Sequence, residues 1–244
     1  MPSWIAWVAD PNAWVALLTL TAMEVVLGID NVVFISIIVG RVPPERRERL
    51  RRTGLLLALA MRVGLLLAIE WIMQLTTPIL HLFGRGVSGR DLILIAGGFF
   101  LLGKSTHEIH GTVEGGDEAP RVSGNAAAAA ILAQILLVDV VFSLDSVITA
   151  IGMADDVPVM IVAMLLADAA MMAFASSIGA FVEKHPTVKV LALAFLILIG
   201  VVLVADGLGQ HIGKGYVYSA MAFSLVVEML NLRLRARRSG AKSV

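Results

Sequence analysis

The segment Glu24-Val-Val-Leu-Gly-Ile-Asp30-Asn31-Val32 recurs as Asp139-Val-Val-Phe-Ser-Leu-Asp145-Ser146-Val147, at a constant spacing of 115 residues. Each copy lies inside a long apolar run. An ionised carboxylate at the centre of a bilayer costs about 2.5–3.5 kcal/mol on insertion scales, so acids in such runs are candidates for function. Apolar helices match one another easily. Two acids in register, each pair followed by a small polar residue, do not. The repetition constrains the chain to two halves on one plan, with the acids of both halves forming one site. That pattern is read as a cation site in a transporter.

Composition agrees with a membrane location. Hydrophobic residues make up 58% of the chain and its mean hydropathy is +0.88, against about 45–50% apolar residues in soluble proteins. Formal net charge is zero, so no basic surface exists for nucleic acid. There is no cysteine, which excludes disulfides and thiolate metal sites. No cleavable signal peptide is expected: no Lys or Arg precedes Arg41, and Asp10-Pro11-Asn12 interrupts the first apolar stretch. Trp4, Trp7 and Trp14 predict a segment at the membrane interface.

Apolar stretches of about 20 residues predict transmembrane helices, here near 14–39, 54–82, 91–107, 126–152, 158–182, 189–208 and 216–234. The expected fold is therefore an all-α membrane protein of seven transmembrane helices in one membrane domain. With the N-terminus outside, 15 of the 19 Lys and Arg residues fall in inside segments and 3, Arg85, Arg90 and Lys214, fall outside. This excess predicts an N-out, C-in protein of the plasma (inner) membrane.

Three spans per half make the halves inverted. Repeat one covers 14–107, a polar cytoplasmic loop 108–125, repeat two 126–208, and a seventh helix with a basic tail 216–244. Transporters built this way hold substrate near the midplane, between the repeats. Extending the alignment sets Arg62 opposite Asp168, and Lys104 opposite Asp206.

Residues six apart on a helix point about 120° away from each other, so Glu24 and Asn31 share a stripe that Asp30 does not, and likewise Asp139, Ser146 and Asp145. Either the helices unwind at Gly28 and Ser143, or one acid of each pair faces a neighbouring helix. Carboxylates, an amide and a hydroxyl are hard oxygen donors, suited to Mg²⁺, Ca²⁺ or Mn²⁺ rather than Zn²⁺ or Cu⁺. Excess acid also allows exchange of the cation for protons.

These motifs, with the closing segment Gly213-Lys-Gly-Tyr216-Val-Tyr218 to Asn231, resemble the TerC family of integral membrane proteins over essentially the whole chain. That family is named for tellurite resistance and is related to the LysE transporter superfamily. The resemblance implies Mn²⁺ export, with Glu24, Asp30, Asp139 and Asp145 in the metal site and Asn31 and Ser146 joining by position. Asp139 stands where Glu is common, and the shorter acid changes reach or ion preference. The resemblance also admits a factor that transports nothing and serves membrane-protein assembly, metal supply or stress resistance. Its protein partners would meet the cytoplasmic loop 41–52 and the C-terminal tail.

Other polar residues have quieter readings. Arg62 and Asp168 are expected to form an ion pair between repeats, with gating or proton relay as the alternative. Lys104 is expected to snorkel to the interface. Asp206 is an exit-path acid, and Glu228 serves helix–helix hydrogen bonding or function. His107, Glu108 and His110 read as a solvated turn, and the methionines as core fillers or lipid-facing residues. No catalytic constellation and no required cofactor are expected; the metal ion is substrate. An intramembrane aspartyl protease would need a Gly-x-Gly-Asp segment, which is absent.

Overall fold

Pro11, Pro44 and Pro186 each open a helix, at the position where a missing backbone N–H costs nothing. A computed structural model describes residues 7–40, 42–82, 85–114, 125–151 and 157–240. Within those ranges a few side chains, including those of Glu70, Asp30, Asp145 and Ser146, lie outside the described residues. The helices are α1 (Pro11–Val39), α2 (Pro44–Leu67), α3 (Ile69–Leu75), α4 (Gly89–Val113), α5 (Asn125–Ile151), α6 (Val157–Lys184), α7 (Pro186–Gly207) and α8 (Lys214–Gly240). One antiparallel hairpin, β1 (Pro78–Leu82) with β2 (Arg85–Ser88), precedes α4.

The architecture is that of an all-α membrane protein. Among the described residues six helices are long and apolar enough to cross a bilayer: α1, α4, residues 126–144 of α5, α6, α7 and residues 215–235 of α8. Helix α2 has the length, at 24 residues, but carries Arg51, Arg52 and Arg62.

The second span, expected over 54–82, is corrected at both ends. Its helix begins ten residues earlier, at Pro44, with a charged first half, and ends at Leu67. After the seven residues of α3, Thr76 and Thr77 turn their hydroxyls onto the Met73 and Gln74 carbonyls at 2.7 and 2.6 Å. Pro78 then bars continuation, because it disfavours helical geometry in the residue before it and has no N–H to donate. The apolar residues that follow form β1, with Ile79 and Leu80 exposed.

The N-terminus of α4 is set by a capping box. Ser88 Oγ accepts from the Asp91 N–H at 3.2 Å, and the Asp91 carboxylate accepts from the Ser88 N–H at 3.0 Å. Both residues are buried. Ser88→Ala is expected to cost about 0.5–2 kcal/mol, read as a lower thermal midpoint in detergent, whereas an unchanged midpoint would mean that water replaces the cap.

Packing pairs the helices across the two halves. Helix α4 lies most extensively against α7, α1 against α6, and α2 against α5. The second half of α1 is enclosed on nearly every side, with Val32, Phe34, Ile35, Ile37, Ile38 and Val39 all buried. Helix α8 is the opposite case: it buries Val217 and Met221 beside Val202 and leaves Tyr216, Phe223, Val226 and Leu230 exposed. In water so large an apolar surface would be a liability; in lipid it is matched by the acyl chains.

Candidate functional site

Glu24, Gly28 and Asn31 succeed one another at steps of four and three, so they form one stripe on α1. Asp139 and Ser143 stand one turn apart on α5. Glu24, Asp139 and Asp168 lie close to the midpoints of α1, α5 and α6. All three are buried, as are Asn31, Ser143 and Arg62.

Arg62 ties the two motif copies together. From α2 its Nη2 donates to Asp139 Oδ1 at 2.6 Å and its Nε donates to the same carboxylate at 3.1 and 3.4 Å. Its Nη1 donates to Glu24 Oε2 at 3.2 Å. Side-chain exposure is 5% for Arg62, 6% for Glu24 and 5% for Asp139, so these are desolvated, charge-assisted bonds of the stronger kind. Ser143 Oγ donates to Asp139 Oδ2 at 3.2 Å, and Asn31 Nδ2 reaches Asp139 Oδ1 at 3.4 Å.

Asp168 completes the cluster from α6. Its charge acts on Arg62, and the charges of Arg62, Asp139 and Glu24 act on it. Yet Asp168 Oδ2 has no hydrogen-bond partner among the described residues, and neither has Asn31 Oδ1. A buried acceptor left unmade costs about 1–3 kcal/mol, more when charged. Two such oxygens on α6 and α1 mark unmet demand for a donor or a cation.

Several sequence expectations change here. The expected Arg62–Asp168 ion pair is not the bonded one: the guanidinium donates to Asp139 and Glu24, because α2 packs on α5 and presents Arg62 to the motif acids. Helices α1 and α5 are continuous through Gly28 and Ser143, so the proposed unwinding is absent. Instead Gly28 packs against the Met171 thioether, which occupies the space a Cβ would need. Met171 lies one turn from Asp168, so a thioether does sit beside the acids, a neighbour the methionine spacing did not reveal.

Lys104 does not snorkel freely; it pairs with buried Glu108 at 3.3 Å. Helix α4 runs to Val113, so His107, Glu108 and His110 are helical rather than a solvated turn. Asp206 is buried near the end of α7, with His211 Nδ1 at 3.5 Å. Glu228 Oε1, on α8, is buried without a hydrogen-bond partner among the described residues. Among the described residues no three His, Asp or Glu side chains converge closely enough to hold one metal ion.

Comparison with known proteins agrees with the motifs. The model of the integral membrane protein TerC family matches residues 9–242. This chain belongs to the TerC family. It is 52% identical over 230 residues to a UPF0053 protein of Haemophilus influenzae, covering 94% of this chain and 97% of that one. It is 49% identical over 227 residues to the UPF0053 inner membrane protein YgdQ of Escherichia coli, covering 93% and 95%. The UPF0053 inner membrane protein YoaE of Escherichia coli is 48% identical over 223 residues, which is 91% of this chain but 43% of that longer protein. No solved structure matches. Alignments of this extent span both motif copies and the helices that carry Arg62 and Asp168.

Proposed function

We propose that this protein exports a divalent metal cation, Mn²⁺ foremost, across the inner membrane in exchange for protons. The observation that carries the reading is the buried cluster. Two carboxylates from two helices, Glu24 and Asp139, bond one guanidinium, and a third, Asp168, is buried on α6 and acts on it through its charge. Fully ionised, they leave an excess of two negative charges, which one divalent cation neutralises. Burying charge is expensive unless it is compensated, and the oxygens of Asp168 and Asn31 that lack partners among the described residues leave compensation incomplete. All the donors are hard oxygens, as Mn²⁺ prefers. An inner-membrane location follows the names of the relatives, and the N-out, C-in orientation follows the distribution of Lys and Arg.

The site fits a pair of inverted repeats with α2 as the seventh spanning helix. A two-fold axis exchanging α1 with α5, α2 with α6, and α4 with α7 maps the α1–α6 packing onto α5–α2, and α4–α7 onto itself. Those are the three most extensive helix pairings. The same operation exchanges Glu24 with Asp139 and Arg62 with Asp168, so the cluster is closed under it. The exchanged pair differs in charge, Arg62 against Asp168, which breaks the symmetry.

The test is flux in proteoliposomes containing Mn²⁺, with and without a pH gradient, for the native protein, Asp30→Asn and Asp145→Asn. Native flux driven by the gradient and lost in both variants is the expected result. Native protein that moves no Mn²⁺, Mg²⁺ or Ca²⁺ under any gradient would sink the reading and favour a membrane factor acting on other proteins.

A further inference from the structure

The Arg62 guanidinium occupies the ground between Glu24 and Asp139 that a cation bridging the two motif copies would need. We propose that Arg62 is a tethered competitor of the transported cation: it holds Glu24 and Asp139 when the site is empty and moves to Asp168 when metal arrives. The proposal rests on the cation-transport reading and adds to it a specificity-determining and release-determining residue.

Three observations support the exchange. Arg62 is bonded to both motif acids at once, to Asp139 at 2.6 Å and to Glu24 at 3.2 Å. A metal bridging Glu24 Oε2 and Asp139 Oδ1 would compete with that fork for the same oxygens. Second, no three acidic or imidazole groups converge on one point among the described residues. Glu24 and Asp139 meet through the guanidinium rather than directly. Third, a second seat for the guanidinium is ready. Asp168 on α6 is buried at 3% exposure, feels the Arg62 charge, and offers an Oδ2 that has no donor among the described residues. A guanidinium has five N–H donors in a fixed fork and stays charged throughout, so it can leave one carboxylate for another without exposing a bare charge.

The exchange also answers a transporter's need to release its cargo. Three carboxylates with no internal cation would hold a divalent ion too firmly. A guanidinium that returns to Glu24 and Asp139 displaces the ion from both, and the site is again compensated. A rigid arginine would lend the acids a fixed position; a moving one also sets affinity. Cations of single charge displace it poorly, since they add less attraction to the two carboxylates than the guanidinium's several bonds supply.

The test is Mn²⁺ binding to purified full-length protein in detergent, read by calorimetry, for native, Arg62→Gln, Asp168→Asn and the double variant, with proteoliposome flux alongside. Folding is checked by size-exclusion profile. Arg62→Lys, which keeps the charge without the fork, serves if Arg62→Gln is not folded. Arg62→Gln is expected to bind Mn²⁺ about tenfold more tightly or better, a gain of about 1.4 kcal/mol, while flux falls because release slows. Arg62→Lys falls between the two. Asp168→Asn weakens binding in the native background, because the displaced guanidinium has lost its seat. In the Arg62→Gln background that effect disappears, since nothing is left to be displaced. The double-mutant comparison isolates this coupling. Equal weakening by Asp168→Asn in both backgrounds would make Asp168 a direct metal ligand and overturn the exchange, with transport intact. Unchanged or weaker affinity in Arg62→Gln and Arg62→Lys would also overturn it. Native protein that binds no divalent cation would overturn the transport reading itself.

Discussion

Arg62→Leu is expected to destabilise the metal-free protein by about 3–5 kcal/mol, because removing one partner of a buried ion pair strands the others. Here three buried carboxylates lose their bonded or neighbouring cation together. Glu24 loses a bond at 3.2 Å and Asp139 loses bonds at 2.6, 3.1 and 3.4 Å. Ser143 and Asn31 remain as weak neutral donors to Asp139. Unfolding in detergent micelles, with chelator present, measures the loss. Excess Mn²⁺ should restore much of it, since a ligand that binds only the folded state stabilises it by mass action. A variant as stable as the native protein under chelator would mean that water or protons compensate the acids.

The second large effect belongs to the crossing of α4 and α7. A Cβ on Gly98 would stand 2.6 Å from the Gly200 carbonyl oxygen and 3.0 Å from the Val204 nitrogen. Both obstacles are backbone, so no rotamer change relieves them and α7 must move outward. Close approach through small residues is how helices associate in lipid, where no hydrophobic force joins them. Gly98→Ala is expected to cost about 1–3 kcal/mol, the usual range for overpacking, and Gly98→Leu more. Gly64 is the control: nothing lies within 4 Å of a Cβ there, so Gly64→Ala should be neutral or stabilise by up to about 1 kcal/mol through helix propensity. Equal thermal midpoints for Gly98→Ala and Gly64→Ala would show the crossing to be looser than it stands.

The duplicated motif led directly to two of the three buried carboxylates of the cluster, Glu24 and Asp139, and to Asn31. A charge in an apolar run needs a partner, so Arg62 and Asp168 also stood out as residues to watch. Their pairing did not. The repeat alignment set Arg62 opposite Asp168, but an alignment of two segments pairs positions and says nothing of contact. Asp30, Asp145 and Ser146 keep their sequence reading, with side chains outside the described residues. The hairpin at 78–88 was hidden by its own hydrophobicity: Ile79 and Leu80 extend the apolar run, and only the Thr76-Thr77-Pro78 triplet signals the break. The helical setting of His107, Glu108 and His110 was missed because a polar helix end and a loop share a composition.

By itself the sequence determined that this is a helical membrane protein in which one acidic motif occurs twice, with acids placed in the middle of its apolar runs. Those properties follow from local chemistry: the length of an apolar run, the cost of a charge inside it, and the improbability of a repeated motif. Only the tertiary structure decided that α2 lies against α5 and α1 against α6, and hence that Arg62 meets Glu24 and Asp139 while Asp168 keeps an oxygen without a partner among the described residues. Helical period tells which residues share a face. In lipid, faces turned to protein and faces turned to acyl chains are both apolar, so the period cannot tell which neighbour a face will meet. That choice was made by the fit of whole helices, at glycines such as Gly98 and Gly28 where two backbones, or a backbone and a thioether, come close.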